Sequence, residues 1–161
     1  MLDISSKLRR YDALYMDIAK RVAQMSYAKR KQVGCVIVKD GNIISMGFNG
    51  MPAGMDNNCE HYDYSVSMDG DYVTNKEVSH AEENAIAKIA RSSSSSDGAT
   101  AYVTLAPCMH CAKLLNSAGI RRVVYGENYR QEGVEFLIER GVTVERSISV
   151  ENLYESNVRS A

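Results

Sequence analysis

Between residues 8 and 28 apolar side chains recur at helical spacing, with Leu14, Tyr15, Ile18, Val22 and Met25 marking the stripe. The period predicts an amphipathic first helix. A basic cluster, Lys29, Arg30 and Lys31, follows it. Residues 33–38 are a short apolar run suited to a buried strand, residues 39–42 (KDGN) carry hairpin-turn chemistry, and residues 43–48 read as a second, antiparallel strand. Over residues 49–79 no period persists and Gly, Asn, Asp and Met dominate. A loop longer than about 15 residues in a compact domain is functional or disordered as a rule.

Periodicity resumes at residues 80–91, which predict a helix, with Ser79 and Glu82 at capping-box spacing placing its start. The serine run 92–96 reads as a surface loop. A third strand is expected over 101–105, and a helix from Pro107 to about Ala118, closed by Gly119. A fourth strand (120–125), a short helix (134–140) ended by Gly141 and a fifth strand (142–148) complete the pattern. Residues 150–161 read as a loose polar tail. Strands alternating with helices predict an α/β class: a three-layer α/β/α sandwich on a five-stranded mixed sheet, with parallel pairing after the opening hairpin.

Composition narrows the picture modestly. The 161 residues fit one domain, 45% of them are apolar, and the formal net charge is −1 from 19 basic and 20 acidic residues. That balance gives no broad basic footprint for a nucleic-acid polymer, and a small ligand with a local basic pocket fits better. No stretch approaches the roughly 20 apolar residues of a membrane span, and no secretory apolar segment opens the chain, so no membrane partner and a cytoplasmic location (a host's cytoplasm for a viral source) are expected. The four cysteines are Cys35, Cys59, Cys108 and Cys111. In a reducing compartment a close pair points to metal or redox chemistry.

The chemistry concentrates in two short motifs, His80-Ala-Glu82 and Pro107-Cys108-Met-His-Cys111, each opening a predicted helix. Catalytic zinc sites use three protein ligands and leave one position for water. Cys108 and Cys111, three residues apart, share a helix face in a first turn that favours thiolates, and His80 supplies a neutral nitrogen. Glu82 points away from His80 and suits proton transfer rather than ligation. H-x-E followed by P-C-x-x-C is the pattern of zinc nucleobase deaminases. Other readings remain open at this point: a redox pair, or a four-ligand structural zinc that adds Cys59, His61 or His110. Cys35, in an apolar strand, reads as a small core residue.

Beyond these motifs the chain carries GFNGMPAG at 47–54, DNNCE at 56–60, HAEENAI at 80–86 and YVTLAP at 102–107. With them it resembles the deoxycytidylate deaminase family, within the wider cytidine-deaminase-like fold. The resemblance implies hydrolysis of dCMP to dUMP and ammonia, supplying thymidylate synthesis. It implies Zn2+ on His80, Cys108 and Cys111, with Glu82 as acid/base and Asn49 on the sugar. Tyr129, Leu105 and Ala106, flanked by Ala81 and Pro107, would line the nucleotide pocket. It further implies a homohexamer activated by dCTP and inhibited by dTTP, with Mg2+ accompanying the bound triphosphate. The effector site would draw on Lys29, Val33, Gly47, Phe48, Gly50, Gly54, Asp56, Asn57 and Asn58. Ala28 stands where many relatives place a cysteine for a second zinc, so one zinc per chain is expected. Rival readings are a deaminase that also accepts dCTP, a tRNA adenosine deaminase, a free cytidine deaminase and a non-catalytic zinc-containing nucleotide scaffold.

Overall fold

The computed structural model describes residues 4–147. Helix α1 (Ile4–Ala23) is followed by strands β1 (Gly34–Lys39) and β2 (Asn42–Phe48). Asp40 and Gly41 both take positive φ between them, 50° and 74°. This is the backbone that a two-residue hairpin turn requires, and Asp and Gly are among the residues that adopt it most readily. The chain continues through β3 (Glu60–Asp63), β4 (Asp71–Thr74), α2 (Ala81–Ala90), β5 (Thr100–Leu105), α3 (Met109–Ser117), β6 (Arg122–Glu127), α4 (Glu132–Glu139) and β7 (Thr143–Arg146).

Five strands form the main sheet in the order β2-β1-β5-β6-β7. β1 pairs antiparallel with both β2 and β5, whereas β5, β6 and β7 run parallel. Parallel pairing therefore begins at β5, one strand later than the sequence pattern predicts. The alternation along β1 explains the three layers. Val36 and Val38 face α1, where they pack with Tyr15, Met16, Ala19, Tyr102 and Val124. Cys35 and Ile37 face the other side, with Ala81 and Ala85 of α2, Leu115 of α3 and Leu137 of α4. Each fully buried branched side chain there contributes about 1.5–3 kcal/mol by its removal from water. The expected α/β/α sandwich and five-stranded mixed sheet are therefore present, and Cys35 is a core residue, fully buried.

Several boundaries differ from expectation, each for a local reason. α1 ends at Ala23 rather than 28, because Ser26 leaves the helix to bond Asn49: its hydroxyl donates to the Asn49 carbonyl (2.7 Å) and accepts the Ala28 N–H (3.1 Å). The 49–79 segment is not all loop, since β3 and β4 pair as a separate antiparallel hairpin. Pro107 precedes α3 instead of starting it, and Cys108 is the N-cap. His80, not Ser79, is the N-cap of α2, and Glu83, not Glu82, reaches back to the cap. The expected fifth strand is observed as β7, with Ile148 and the 150–161 tail outside the described residues.

Candidate active site

The motif-bearing helices begin side by side at the C-terminal edge of the parallel strands, where ligand sites of α/β sheets form. His80 and Cys108 are both N-caps with extended backbone, φ/ψ of −74°/161° and −71°/169°. These caps aim both side chains off the helix ends toward one point. The His80 Nδ1 lies 3.3 Å from Cys111 Sγ and 3.6 Å from Cys108 Sγ. All three ligand atoms fall within 4.8 Å of one another.

Burial grades across the trio: His80 is exposed, Cys108 half-buried and Cys111 fully buried. The electrostatics suit a cation. Hydrogen bonds from Cys111 and His80 pull the Cys108 thiol down to about 3, and the bond to Cys108 lifts His80 to about 9. Sharing that bond and its burial raise the Cys111 thiol. Cys108 is thus a thiolate whose charge is balanced by the proton on His80 and which accepts a hydrogen bond from the neutral Cys111 thiol. A divalent metal would take the place of those protons, because ligand deprotonation accompanies binding. Zinc–sulfur bonds of about 2.3 Å and zinc–nitrogen bonds of about 2.0–2.1 Å put tetrahedral ligand atoms about 3.5–3.8 Å apart, close to the spacing present. The donor set therefore fits Zn2+.

Glu82 sits beside them, 4% exposed. Burial raises its carboxyl above the usual carboxylate range, with the charge on His80 opposing. A carboxyl so placed is suited to take up a proton and pass it on. α2 comes this close to the sheet because of Gly47. A Cβ there would meet Ala81 O at 2.3 Å and Ala85 N at 2.5 Å.

The trio opens onto a cleft of about 410 Å³. Of the expected pocket residues, Asn49, Ala81, Leu105, Ala106 and Tyr129 line it, and Pro107 does not. Asn49 also braces the backbone around it. Its Oδ1 accepts the Val33 N–H at 2.8 Å and its Nδ2 donates to the Lys31 carbonyl at 2.9 Å. Of the residues expected at an effector site, Val33 lines the cleft and Lys29 a neighbouring groove. Gly50 is bridged to Ser79, Asp56 Oδ1 accepts the Asn58 N–H, and the Asn57 and Asn58 carbonyls accept from Cys59 Sγ and Asn75 Nδ2. Phe48 lies under Lys88, and Gly54 takes a φ of 88°.

The opposite wall is built on the basic run. Arg30 and Lys31 face the cleft with Glu60, Thr74, Glu127 and Asn128. Glu60 Oε1 accepts the N–H groups of both Lys29 (2.9 Å) and Arg30 (3.1 Å), and Arg30 Nη1 donates to Thr74 Oγ1 at 3.3 Å. Lys31 pairs with Glu127. The hairpin β3–β4 thus braces a cationic loop against the mouth. In sequence a run of three basic residues reads either as a solvated stretch or as a triphosphate contact, and the fold turns Arg30 and Lys31 toward the cleft.

The alternatives for the remaining ligand types resolve as well. Cys59 is buried with Ala28 and Val78. His61 Nδ1 bonds Asn75 Oδ1 at 2.6 Å. Among the described residues only His80, Cys108 and Cys111 cluster as metal ligands, so a four-ligand site with Cys59, His61 or His110 is not formed.

Comparison with known proteins agrees with this geometry. Residues 9–127 match the family model of the cytidine and deoxycytidylate deaminase zinc-binding region. The chain belongs to this family. The deoxycytidylate deaminase of Enterobacteria phage T4 is 36% identical, over 71% of this chain and 76% of that protein. The deoxycytidylate deaminase of Mus musculus is 35% identical, over 78% and 71%. The crystal structure of dCMP deaminase from the cyanophage S-TIM5, in complex with dCMP and dUMP, superposes with a TM-score of 0.75 at 38% identity, covering 91% of this chain and 99% of that one. The family likeness runs from within α1 to the end of β6, including both motif-bearing helices. Among the described residues no helix is long and apolar enough to cross a membrane.

Proposed function

We propose that the chain hydrolyses dCMP to dUMP and ammonia, with Zn2+ held by His80 Nδ1, Cys108 Sγ and Cys111 Sγ. One observation carries the reading: a His/Cys/Cys trio and a buried glutamate converge at a cleft the size of a small ligand. When bound, zinc supplies Lewis-acid activation of a water for attack on the ring carbon that bears the amino group. Glu82 takes a proton from that water and delivers it to the ring nitrogen N3. It then takes the remaining proton from the hydroxyl added to the ring carbon and passes it to the amino nitrogen, so that the carbonyl forms as the C–N bond breaks and ammonia departs. The buried site keeps Glu82 away from bulk water, so its proton goes to substrate. Leu105, Ala106 and Tyr129 form the wall against the base, and Asn49 borders the sugar. Arg30 and Lys31 receive the 5′-phosphate, as their place at the mouth and their charge support.

The triphosphate effectors dCTP and dTTP are assigned to the groove next to the cleft, with Mg2+ on the triphosphate. Its lining supports this, since Lys20, Lys29, Arg30 and Lys31 all contribute. A homo-oligomer, taken as a hexamer, is supported by Leu8, Tyr11 and Leu14, which leave an apolar stripe about half exposed on α1 (51%, 46% and 49%). The proposal is tested by loss of ultraviolet absorbance with dCMP, dCTP, cytidine and adenosine side by side, with and without each effector. Turnover fastest on dCMP, with dCTP and dTTP shifting it in opposite directions, is expected. Turnover of adenosine alone would overturn the substrate assignment, and a flat response to both triphosphates would end the effector assignment.

A further inference from the structure

We propose that Glu83 and His110 form a clip that holds the two ligand-bearing helix starts in register, which makes them positioning residues for the metal. The inference rests on reading His80, Cys108 and Cys111 as zinc ligands. One carboxylate makes both connections. Glu83 Oε2 accepts the backbone N–H of His80 at 2.6 Å, and Glu83 Oε1 meets His110 Nε2 at 2.8 Å. An ionised carboxylate only accepts, so His110 Nε2 carries the hydrogen.

The two anchor points are the ones that matter for ligand geometry. His80 is itself a ligand, and its N–H fixes the extended cap conformation that aims the imidazole. His110 lies between Cys108 and Cys111, in the first turn of α3 that fixes their spacing. Glu83 belongs to α2 and His110 to α3, so the clip spans the joint across which the metal must be held. Without it, the joint rests on the apolar packing of Ala81 and Ala85 with Leu115 and on the contacts between the imidazole and the thiols. Groups that orient metal ligands in this way commonly change metal affinity by about 10–100-fold.

Two further features separate this role from others. Neither Glu83 nor His110 lines the cleft, so replacing them removes no substrate contact. The side chains are 31% and 65% exposed, and an ion pair so exposed adds little to global stability. Its effect belongs on metal retention rather than on unfolding.

The test follows zinc release from the loaded protein to a chromogenic chelator, together with the visible spectrum of the cobalt-substituted form. Glu83→Ala and His110→Ala should both release zinc about 10–100-fold faster than wild type. Glu83→Gln keeps an acceptor for the His80 N–H, and its amide N–H donates to His110 Nε2 once the ring hydrogen moves to Nδ1, so it should restore release to near the wild-type rate. The cobalt bands of His110→Ala should move, which a merely structural loss elsewhere would not produce. Circular dichroism establishes that each variant is folded. If Glu83→Ala is not, His110→Ala, which leaves the bond to the cap intact, still decides. A wild-type release rate and an unchanged cobalt spectrum in His110→Ala would overturn the clip while leaving the zinc site standing. A wild-type protein that binds no zinc would overturn the metal reading, and the clip with it.

Discussion

The side-chain oxygen of Asn49 accepts the Val33 N–H at 2.8 Å, which ties the end of β2 to the entry of β1. The same carboxamide donates to the Lys31 carbonyl, so one residue at the cleft sets the course of the loop that carries Arg30 and Lys31. Asn49→Ala strips both bonds. Each is worth about 0.5–1.5 kcal/mol net. The expected outcome is a KM for dCMP raised about tenfold, with thermal stability lowered modestly. Steady-state kinetics and a melting curve check it, and an unchanged KM would show that the loop holds its place without Asn49.

The cationic loop itself should read phosphate. Lys31→Met and Arg30→Met should each raise the KM for dCMP, by about 10-fold for a lost charged hydrogen bond of about 1.5 kcal/mol or more. Turnover of deoxycytidine, which has no phosphate, should be nearly unaffected. Parallel kinetics on the two substrates test this, and equal losses on both would remove the loop from phosphate recognition.

Gly47 sets how closely α2 approaches the sheet. Gly47→Ala places a methyl 2.3 Å from Ala81 O, which is backbone and cannot step aside cheaply. Overpacking of this kind costs about 1–3 kcal/mol. Because His80 and Glu82 ride on the same helix end, zinc content should fall along with the midpoint of denaturant unfolding. A variant with normal zinc and normal stability would contradict the close packing.

On the α1 face, Arg122 joins three elements. It reaches Asp12 through Nη1 and Nη2 at 2.7 Å each, and Glu145 through Nε at 2.6 Å. Arg122 and Asp12 are 19% and 17% exposed, so removing the guanidinium leaves a largely buried carboxylate without its counter-charge and with the Tyr102 hydroxyl still donating to it at 2.7 Å. Arg122→Leu should lose about 2–3 kcal/mol of stability, less than the roughly 3–5 kcal/mol of a fully buried pair because this one is partly solvated. Urea unfolding measures it, and deamination kinetics should change little because Arg122 does not line the cleft.

Much of this site was legible because its parts are local. H-A-E and P-C-x-x-C each sit within one helix start, and their spacing alone brings the ligand atoms to the caps. The five strands of the main sheet followed from apolar runs with clear turn residues between them, whereas their order is seen only in the fold. The β3–β4 hairpin was not legible, since its residues are exposed or half-buried on both faces and no two-residue contrast survives. The cleft-facing place of Arg30 and Lys31 and the pairing of Glu83 with His110 were not legible for another reason. Their partners lie 27 to 96 positions away, at Glu60, Thr74, Glu127 and across the two helix starts. Nothing within a short window distinguishes such side chains from solvated ones. The capping glutamate was misplaced by one residue because the fold makes His80 both cap and ligand, which frees Glu82 for chemistry.

The most direct test of the proposed chemistry compares wild type with Glu82→Gln for zinc content and for dCMP turnover in the same preparations. Loss of the proton carrier should reduce kcat by about 10²–10⁴-fold, while both proteins hold one zinc per chain. A Glu82→Gln variant that deaminates dCMP at close to the wild-type rate would contradict the assignment of Glu82, and with it the mechanism built on this cleft.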